Sequence, residues 1–299
     1  MRSTPSGDIR IGVSGWRYPP WRGVFYPAKL PQRLELSYAA RIFRSIELNG
    51  SFYSLQRPES YAAWHDATPD DFVFAVKGAR YITHMLQLRN VEHAMANFFA
   101  SGIARLRHKL GPILWQLPPR MLYRESVLLH FLAQLPHDTD EAASLARRHN
   151  DKVAGRTAFD FVPSRRIRHA LEIRNASFVH RDLIALLREL GIALVIADTG
   201  ARWPEYQDVT ADFVYVRLHG AEQLYVSEYT QPMIEQWAAR IRAWSRGAEP
   251  DDASRITGRH PERAAARDVF CYFDNTDKQH APRNAQTLMT MLGVEPPSK

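Results

Sequence analysis

Apolar and polar positions along this chain fall into short β-type runs that alternate with stretches of helical period. Residues 9–14 (IRIGVS), 45–49 (SIELN), 72–77 (FVFAVK) and 112–117 (PILWQL) read as the first four strands, the last stopped by Pro118 and Pro119. Residues 169–174 (HALEIR), 192–198 (IALVIAD), 213–219 (FVYVRLH) and 269–274 (VFCYFD) make eight. The periodicity predicts helices over 33–43, 58–65, 91–110, 124–135, 180–190, 232–244 and 282–292. Strands that alternate with helices are the mark of parallel βα units. Eight right-handed crossovers close into a (β/α)8 barrel. The alternative, an open doubly wound sheet, normally carries a glycine fingerprint after its first strand, and GVSGW is not one.

The expected organisation is therefore one α/β domain, a TIM-type barrel over residues 9–294, with short tails at 1–8 and 295–299. Two stretches interrupt the alternation. Residues 137–166, after the fourth βα unit, are polar and read as a helix plus a surface loop. Residues 247–267 are low in apolar side chains and read as a mobile surface segment.

The strand ends carry the chemistry. Side chains i and i+2 of a strand share a face. On that parity strand two presents Glu47 with Asn49, strand five Glu172 with Arg174, and strand seven Arg217 with His219. Strand three ends in Lys77, strand four carries Gln116, strand six ends in Asp198, and strand eight in Asp274 followed by Asn275. Charges inside apolar runs are costly unless paired or functional. A ring of them at the C-terminal mouth of a barrel is the place for an active site. Four carboxylates (Glu47, Glu172, Asp198, Asp274) face three cations (Lys77, Arg174, Arg217), with His219 able to balance. The other reading of the same ring is an ion-pair network that holds the mouth together. Aromatics follow the first two strands: Trp16, Tyr18, Trp21, Phe25, Tyr26, Phe52 and Tyr53. They form either a stacking wall for a sugar ring or base, or a satellite core under the first loop. His84 sits in the loop after strand three.

Composition narrows the classes. The chain has 299 residues, 45% hydrophobic and 24% charged, as expected of a soluble globular protein. No apolar run approaches bilayer length, and MRSTPSGDIRIG lacks the apolar core of a secretory signal, so the expectation is a cytoplasmic protein with no membrane. Cys271 is the only cysteine, which excludes an intramolecular disulfide and a Cys-rich metal site. We read it as a buried structural thiol. The net charge of +7 favours anionic partners, a small metabolite or nucleic acid. The charge comes from 33 arginines and six lysines, which also suits a diffuse solvated surface.

The segments GVSGWRYPPWRGVFYP, IELNGSFYSL, FVFAVKGARYITH, LGPILWQLPP, LEIRNASF, ADFVYVRLHG and YFDNT occur in that order over nearly the whole chain. Together they resemble the YecE-like family, also called domain of unknown function 72. The resemblance implies a TIM-type barrel. It places the family's polar signature on Ser14, Trp16 and Tyr18, on Glu47, Asn49, Phe52 and Tyr53, and on Lys77, Thr83, His84 and Gln116. The signature continues through Glu172, Arg174 and Asp198 to Arg217, His219, Gly220, Asp274 and Asn275. The sequence departs from it at strand five, where Asn175 replaces the usual histidine and Phe178 the usual tryptophan.

Motifs for an NTPase, a zincin, a nucleotide cofactor or an α/β-hydrolase are absent. Three readings remain. In the first, an enzyme acts on a small polar or anionic substrate, such as a sugar, phosphate or carboxylate. Glu47, Lys77, Glu172 and His219 are then its catalytic candidates. Trp16, Tyr18, Asn49, Tyr53, His84, Gln116, Arg174, Asp198, Arg217, Asp274 and Asn275 are its substrate-binding candidates. In the second, a metal-dependent enzyme acts on a phosphodiester or sugar, its divalent ion held by Glu47, Glu172, Asp198, His219 and Asp274, as in barrels of the endonuclease IV and xylose isomerase type. In the third, a non-catalytic nucleic-acid-binding or regulatory protein uses Arg147, Arg148, Arg165, Arg166 and Arg168 as its surface. The first ranks ahead of the second, and the second ahead of the third. Substrate, reaction and oligomeric state are not written in the residues.

Overall fold

The structure, a computed structural model, describes residues 6–220, 227–258, 266–275 and 279–297. Eight parallel strands close into a barrel in sequence order. They are β1 (Ile9–Ser14), β2 (Ser45–Leu48), β3 (Val73–Lys77), β4 (Leu110–Gln116), β5 (His169–Glu172), β6 (Ala193–Asp198), β7 (Phe213–Leu218) and β8 (Asp268–Phe273). Helices α1 (Glu35–Ala39), α2 (Gly50–Tyr53), α3 (Pro58–Asp66), α4 (Glu92–Ala100) and α5 (Glu125–Leu132) occupy the first half. Helices α6 (Thr139–Ala146), α7 (Arg181–Leu190), α8 (Gln231–Ser245) and α9 (His280–Leu292) follow. No described helix is long and apolar enough to cross a membrane.

Strand alternation splits the apolar residues into two cores. Ala75, Leu114, Ala170, Ala193, Val195, Phe213, Tyr215, Phe270 and Tyr272 fill the barrel lumen. The opposite faces, including Ile46, Val76, Ile113, Leu171, Ile196, Val216 and Cys271, pack under the helices. Small residues on β3, β5 and β6 face bulky aromatics on β7 and β8, which is how a narrow lumen is packed without voids. Cys271 is buried, as its position between two strand aromatics implies.

Three expectations change. The helix expected over 91–110 ends at Ala100. Gly102 turns left-handed (φ 119°), and the chain continues as tight turns over Ile103–Lys109. A side chain at Gly102 would collide with the backbone of Pro58, so this corner lets α3 approach. The helix expected over 33–43 shortens to α1, preceded by a single turn over Gln32–Leu34. The segment read as mobile at 247–267 is anchored in its described part. Asp208 accepts hydrogen bonds from the Ile256 and Thr257 amides, and Arg255 pairs with Glu249 at 2.8 Å. Residues 259–265 of that segment, 1–5 and 298–299 of the tails, and Thr276 of the strand-eight motif lie outside the described residues. The polar segment 137–166 holds α6, whose N-terminus is capped by the Asp138 carboxylate accepting from two amides.

At the end of β3 a side chain on Gly78 would sit inside the Trp115 indole, and Trp115 is fully buried. Gly78→Ala is expected to cost about 1–3 kcal/mol by overpacking, read as a lower urea midpoint with an unchanged slope. An unchanged midpoint would mean that Trp115 is free to move.

Candidate functional site

Inward parity on β1, β2, β4, β5, β7 and β8 delivers polar side chains to one end of the lumen, above the apolar layers. Arg217 of β7 stands at their centre with no solvent exposure. Its Nε and Nη2 donate to both oxygens of Glu47 at 3.0 and 2.9 Å. Nη1 donates to Glu172 at 2.6 Å, and Nη2 also donates to Asp274 at 2.9 Å. Glu47 further accepts from Ser14 Oγ (3.0 Å) and Tyr215 Oη (2.8 Å). Glu172 accepts from Gln116 Nε2 at 3.1 Å and from Arg174 Nε at 2.6 Å.

The electrostatics follow from this packing. Burial pushes the Glu172 carboxyl up, but Arg174 and Arg217 outweigh it and hold it well below the usual range. Asp274 is lowered in the same way against its burial, by Arg217 and His219. Burial, then Arg217, lowers His219, so its ring is neutral near pH 7. Its Nε2 lies 3.3 Å from Arg217 Nη1 and must accept there, since a guanidinium has no acceptor. That leaves Nδ1–H to face Asp274 Oδ2 at 3.0 Å.

Two cations at the rim retain uncommitted N–H groups. Lys77, 8% exposed, has no hydrogen bond or ion pair among the described residues; its ammonium rests over the Phe52 ring, 4.3 Å from the centroid. Burial, then Arg217, lowers its pKa to about 8. The Arg174 guanidinium lies over the Trp203 ring, 3.8 Å from the centroid, and its Nη2 is buried without a partner among the described residues. His84 lies close by, its ring edge-on to Phe52 and its Nδ1 2.9 Å from Thr83 Oγ1. Burial, then Lys77 and Arg174, lowers it to about 4.

The structure thus brings Glu47, Lys77, His84, Gln116, Glu172, Arg174, Arg217, His219 and Asp274 to one place. Arg217, Glu47, Glu172 and His219 form its sealed floor, while Lys77 and Arg174 form its rim. Trp16, Tyr18, Asn49 and Tyr53 line a separate hollow of about 280 Å³ beside it. Of the remaining aromatics, Trp21, Phe25 and Tyr26 pack on one another, on Tyr38 and on Phe43, making the satellite core.

Asp198 and Asn275 are corrections. On β6 the lumen face is Ala193 and Val195, so Asp198 turns outward with Leu194 and Ile196 and accepts from Trp237 Nε1 of α8 at 3.3 Å. Burial and Glu205 raise its pKa there. Asn275 also turns out, donating to Asn284 of α9 and to the Ser227 carbonyl. Asn175 ties two loops together, donating to the Pro119 carbonyl and accepting from the Ser177 amide. Sequence reasoning missed Tyr215, which holds Glu47, and Trp203, which lies in a loop with no periodicity to flag it.

The donor set does not suit a metal. Arg217 fills the space between Glu47, Glu172 and Asp274, and Asp198 is elsewhere. Among the described residues no three His, Cys, Asp or Glu side chains converge on a common ion position. The arginine cluster is spent largely on local pairs at the opposite end of the barrel. Arg166 pairs with Asp212 (2.7 Å), Arg168 with Asp268 (2.6 Å), and Arg165 donates to the Arg107 carbonyl. Arg147 and Arg148 are exposed.

Residues 10–299 match the family described as Protein of unknown function DUF72. The chain belongs to the DUF72 family. UPF0759 protein YecE of Escherichia coli (strain K12) is 32% identical over 129 residues, 43% of this chain and 44% of that protein. UPF0759 protein YunF of Bacillus subtilis (strain 168) is 28% identical over 116 residues, 40% of its length. The matched segments span less than half of these curated relatives. A DUF72 family protein from Thermotoga maritima MSB8 superposes with a TM-score of 0.72 at 23% identity, over 96% of this chain and 99% of that one. Another from Enterococcus faecalis V583 gives 0.67 at 18% identity, over 96% of each. At these identities the DUF72 likeness speaks for the barrel.

Proposed function

We propose that the charged mouth is the active site of an enzyme acting on a small anionic substrate, a carboxylate or a phosphate ester. The observation that carries this is the pair of rim cations with N–H groups that no carboxylate takes up. Every carboxylate of the cluster is matched by donors, yet Arg174 Nη2 is buried without a partner and the Lys77 ammonium at the rim makes no hydrogen bond or ion pair among the described residues. An uncompensated buried donor costs about 1–3 kcal/mol, more when charged, and a ligand anion removes that cost. Arg174, backed by Trp203 and oriented by Glu172, is the substrate clamp. Lys77 is the reacting group. With its pKa near 8, about a tenth of the molecules hold a neutral amine at pH 7, able to accept a proton or attack a carbonyl. Arg217 and His219 act behind it as positioning residues.

Thermal shift with inorganic phosphate, pyruvate and sugar phosphates tests the reading. At a ligand concentration roughly a hundred times Kd the wild type gains about 2.7 kcal/mol, a clear rise in Tm. Arg174→Met and Lys77→Met should lose that rise. No rise with any of the probes, or an equal rise in both variants, would overturn the assignment.

A further inference from the structure

A second concavity lies beside the mouth, between the chain after β2, the chain after β3, and α4. It measures about 700 Å³, within the size range of small-molecule sites. Its walls include Tyr53, Tyr81 and Met85, which are 69%, 42% and 63% exposed. Large apolar side chains left to water in one place mark a binding surface. No lining residue is acidic, while Arg80 and Lys152 stand on it. Lys152 makes no ion pair among the described residues; its ammonium lies 5.4 Å from the Tyr81 ring centroid.

The walls are set in advance. Residues Tyr81–Met85 form a π-helical turn, a rare form that is frequent at functional sites. Gln87, Leu88 and Asn90 all hold left-handed backbone (φ 50°, 66° and 49°), which side chains with a Cβ adopt at a cost. At the far wall Asn97 and Asn150 satisfy each other, through an amide donating at 2.9 Å and a backbone N–H at 3.0 Å.

From these observations we infer that the groove is a binding site for a flat aromatic or heteroaromatic anion. Its ring lies against Tyr53, Tyr81 and Met85, and its charge meets Lys152 and Arg80. Apolar walls supply the area, and cations on a lining that holds no carboxylate select the sign of the charge. The groove shares only the Phe52 ring with the mouth, on which Lys77 rests. The inference goes beyond the reading of the mouth and stands whether or not that site turns over a substrate.

Anilinonaphthalene sulfonate, an aromatic ring system with one sulfonate, is the probe. Its fluorescence should rise saturably on titration with the folded protein. Met85→Asp and Lys152→Glu change exposed side chains, so the fold is kept. Each should weaken dye binding roughly tenfold, the loss of one good contact. Arg174→Met, at the mouth, should leave it unchanged. Absence of saturable binding to the wild type, equal binding in both groove variants, or loss in Arg174→Met alone would overturn the assignment.

Discussion

Arg217→Met is expected to cost about 3–5 kcal/mol, or to prevent folding outright, because it leaves buried carboxylates uncompensated. Glu47, Glu172 and Asp274 all lean on this one guanidinium, and neither Glu47 nor Glu172 has water to replace it. The loss is comparable with the whole stability of many domains. Urea denaturation measures it. A contrast is built into the same protein: Arg44 and Asp71 pair at 2.8 Å but are each about 40% exposed, and breaking that pair should cost less than about 1 kcal/mol. Arg217→Lys keeps the charge and loses the fork, so it should fold and fall between the two. The pH dependence has a definite sign. In the wild type Glu172 and Asp274 titrate below their unfolded values. Their stabilisation is therefore present above about pH 4 and is lost as pH falls towards the folded values. In Arg217→Met the buried carboxylates prefer their neutral forms, so the gap between variant and wild type should narrow in acid. A cost below 1 kcal/mol at pH 7, with no narrowing, would show that the carboxylates do not depend on Arg217.

Lys77→Met should do the opposite, raising stability while abolishing anion binding. A largely buried ammonium whose desolvation outweighs the pull of Glu47, Asp274 and Glu172 is a liability to the fold. Its pKa of about 8 in the folded state lies below the ordinary 10.5. Between those values the unfolded chain holds a proton that the folded chain has given up, so the wild type gains stability as pH rises through that window. Methionine removes the titration. The variant should exceed the wild type on the order of 3 kcal/mol at pH 7, and the difference should close by about pH 10.5. Denaturation at both pH values, beside the thermal-shift titration with phosphate and pyruvate, reads the two effects together. A gain in stability with loss of binding is the signature of a residue retained for function. A less stable variant with a pH-independent difference would mean that Lys77 serves the fold.

Much of this was legible before any coordinates. Eight β-type runs separated by helical period give the barrel, because each strand must bury both faces and each helix only one. Parity then picks out Glu47, Gln116, Glu172, Arg174, Arg217 and Asp274, since alternation along a parallel strand is fixed by the pleat. The same rule fails where it was applied to the last residue alone. Within β6 the small side chains Ala193, Val195 and Ala197 alternate with Leu194, Ile196 and Asp198, and the narrow lumen takes the small set. That contrast in size was the available signal that Asp198 faces α8. The helix over 91–110 was misjudged because local period carries no information about the close approach of Pro58 to Gly102.

The sequence by itself determined the strand count, the order of the units and, Asp198 excepted, the charges that reach the mouth. These depend on local periodicity, which each segment carries alone. Tertiary structure decided which charges are spent on one another. Arg217, on β7, satisfies carboxylates from β2, β5 and the end of β8, segments up to 170 positions away along the chain. No local pattern encodes that meeting. It likewise decided that Lys77 rests on Phe52 with no direct ion pair among the described residues, and that Trp203 backs Arg174. Such pairings arise only when the sheet closes on itself and distant strand ends come within a few ångströms.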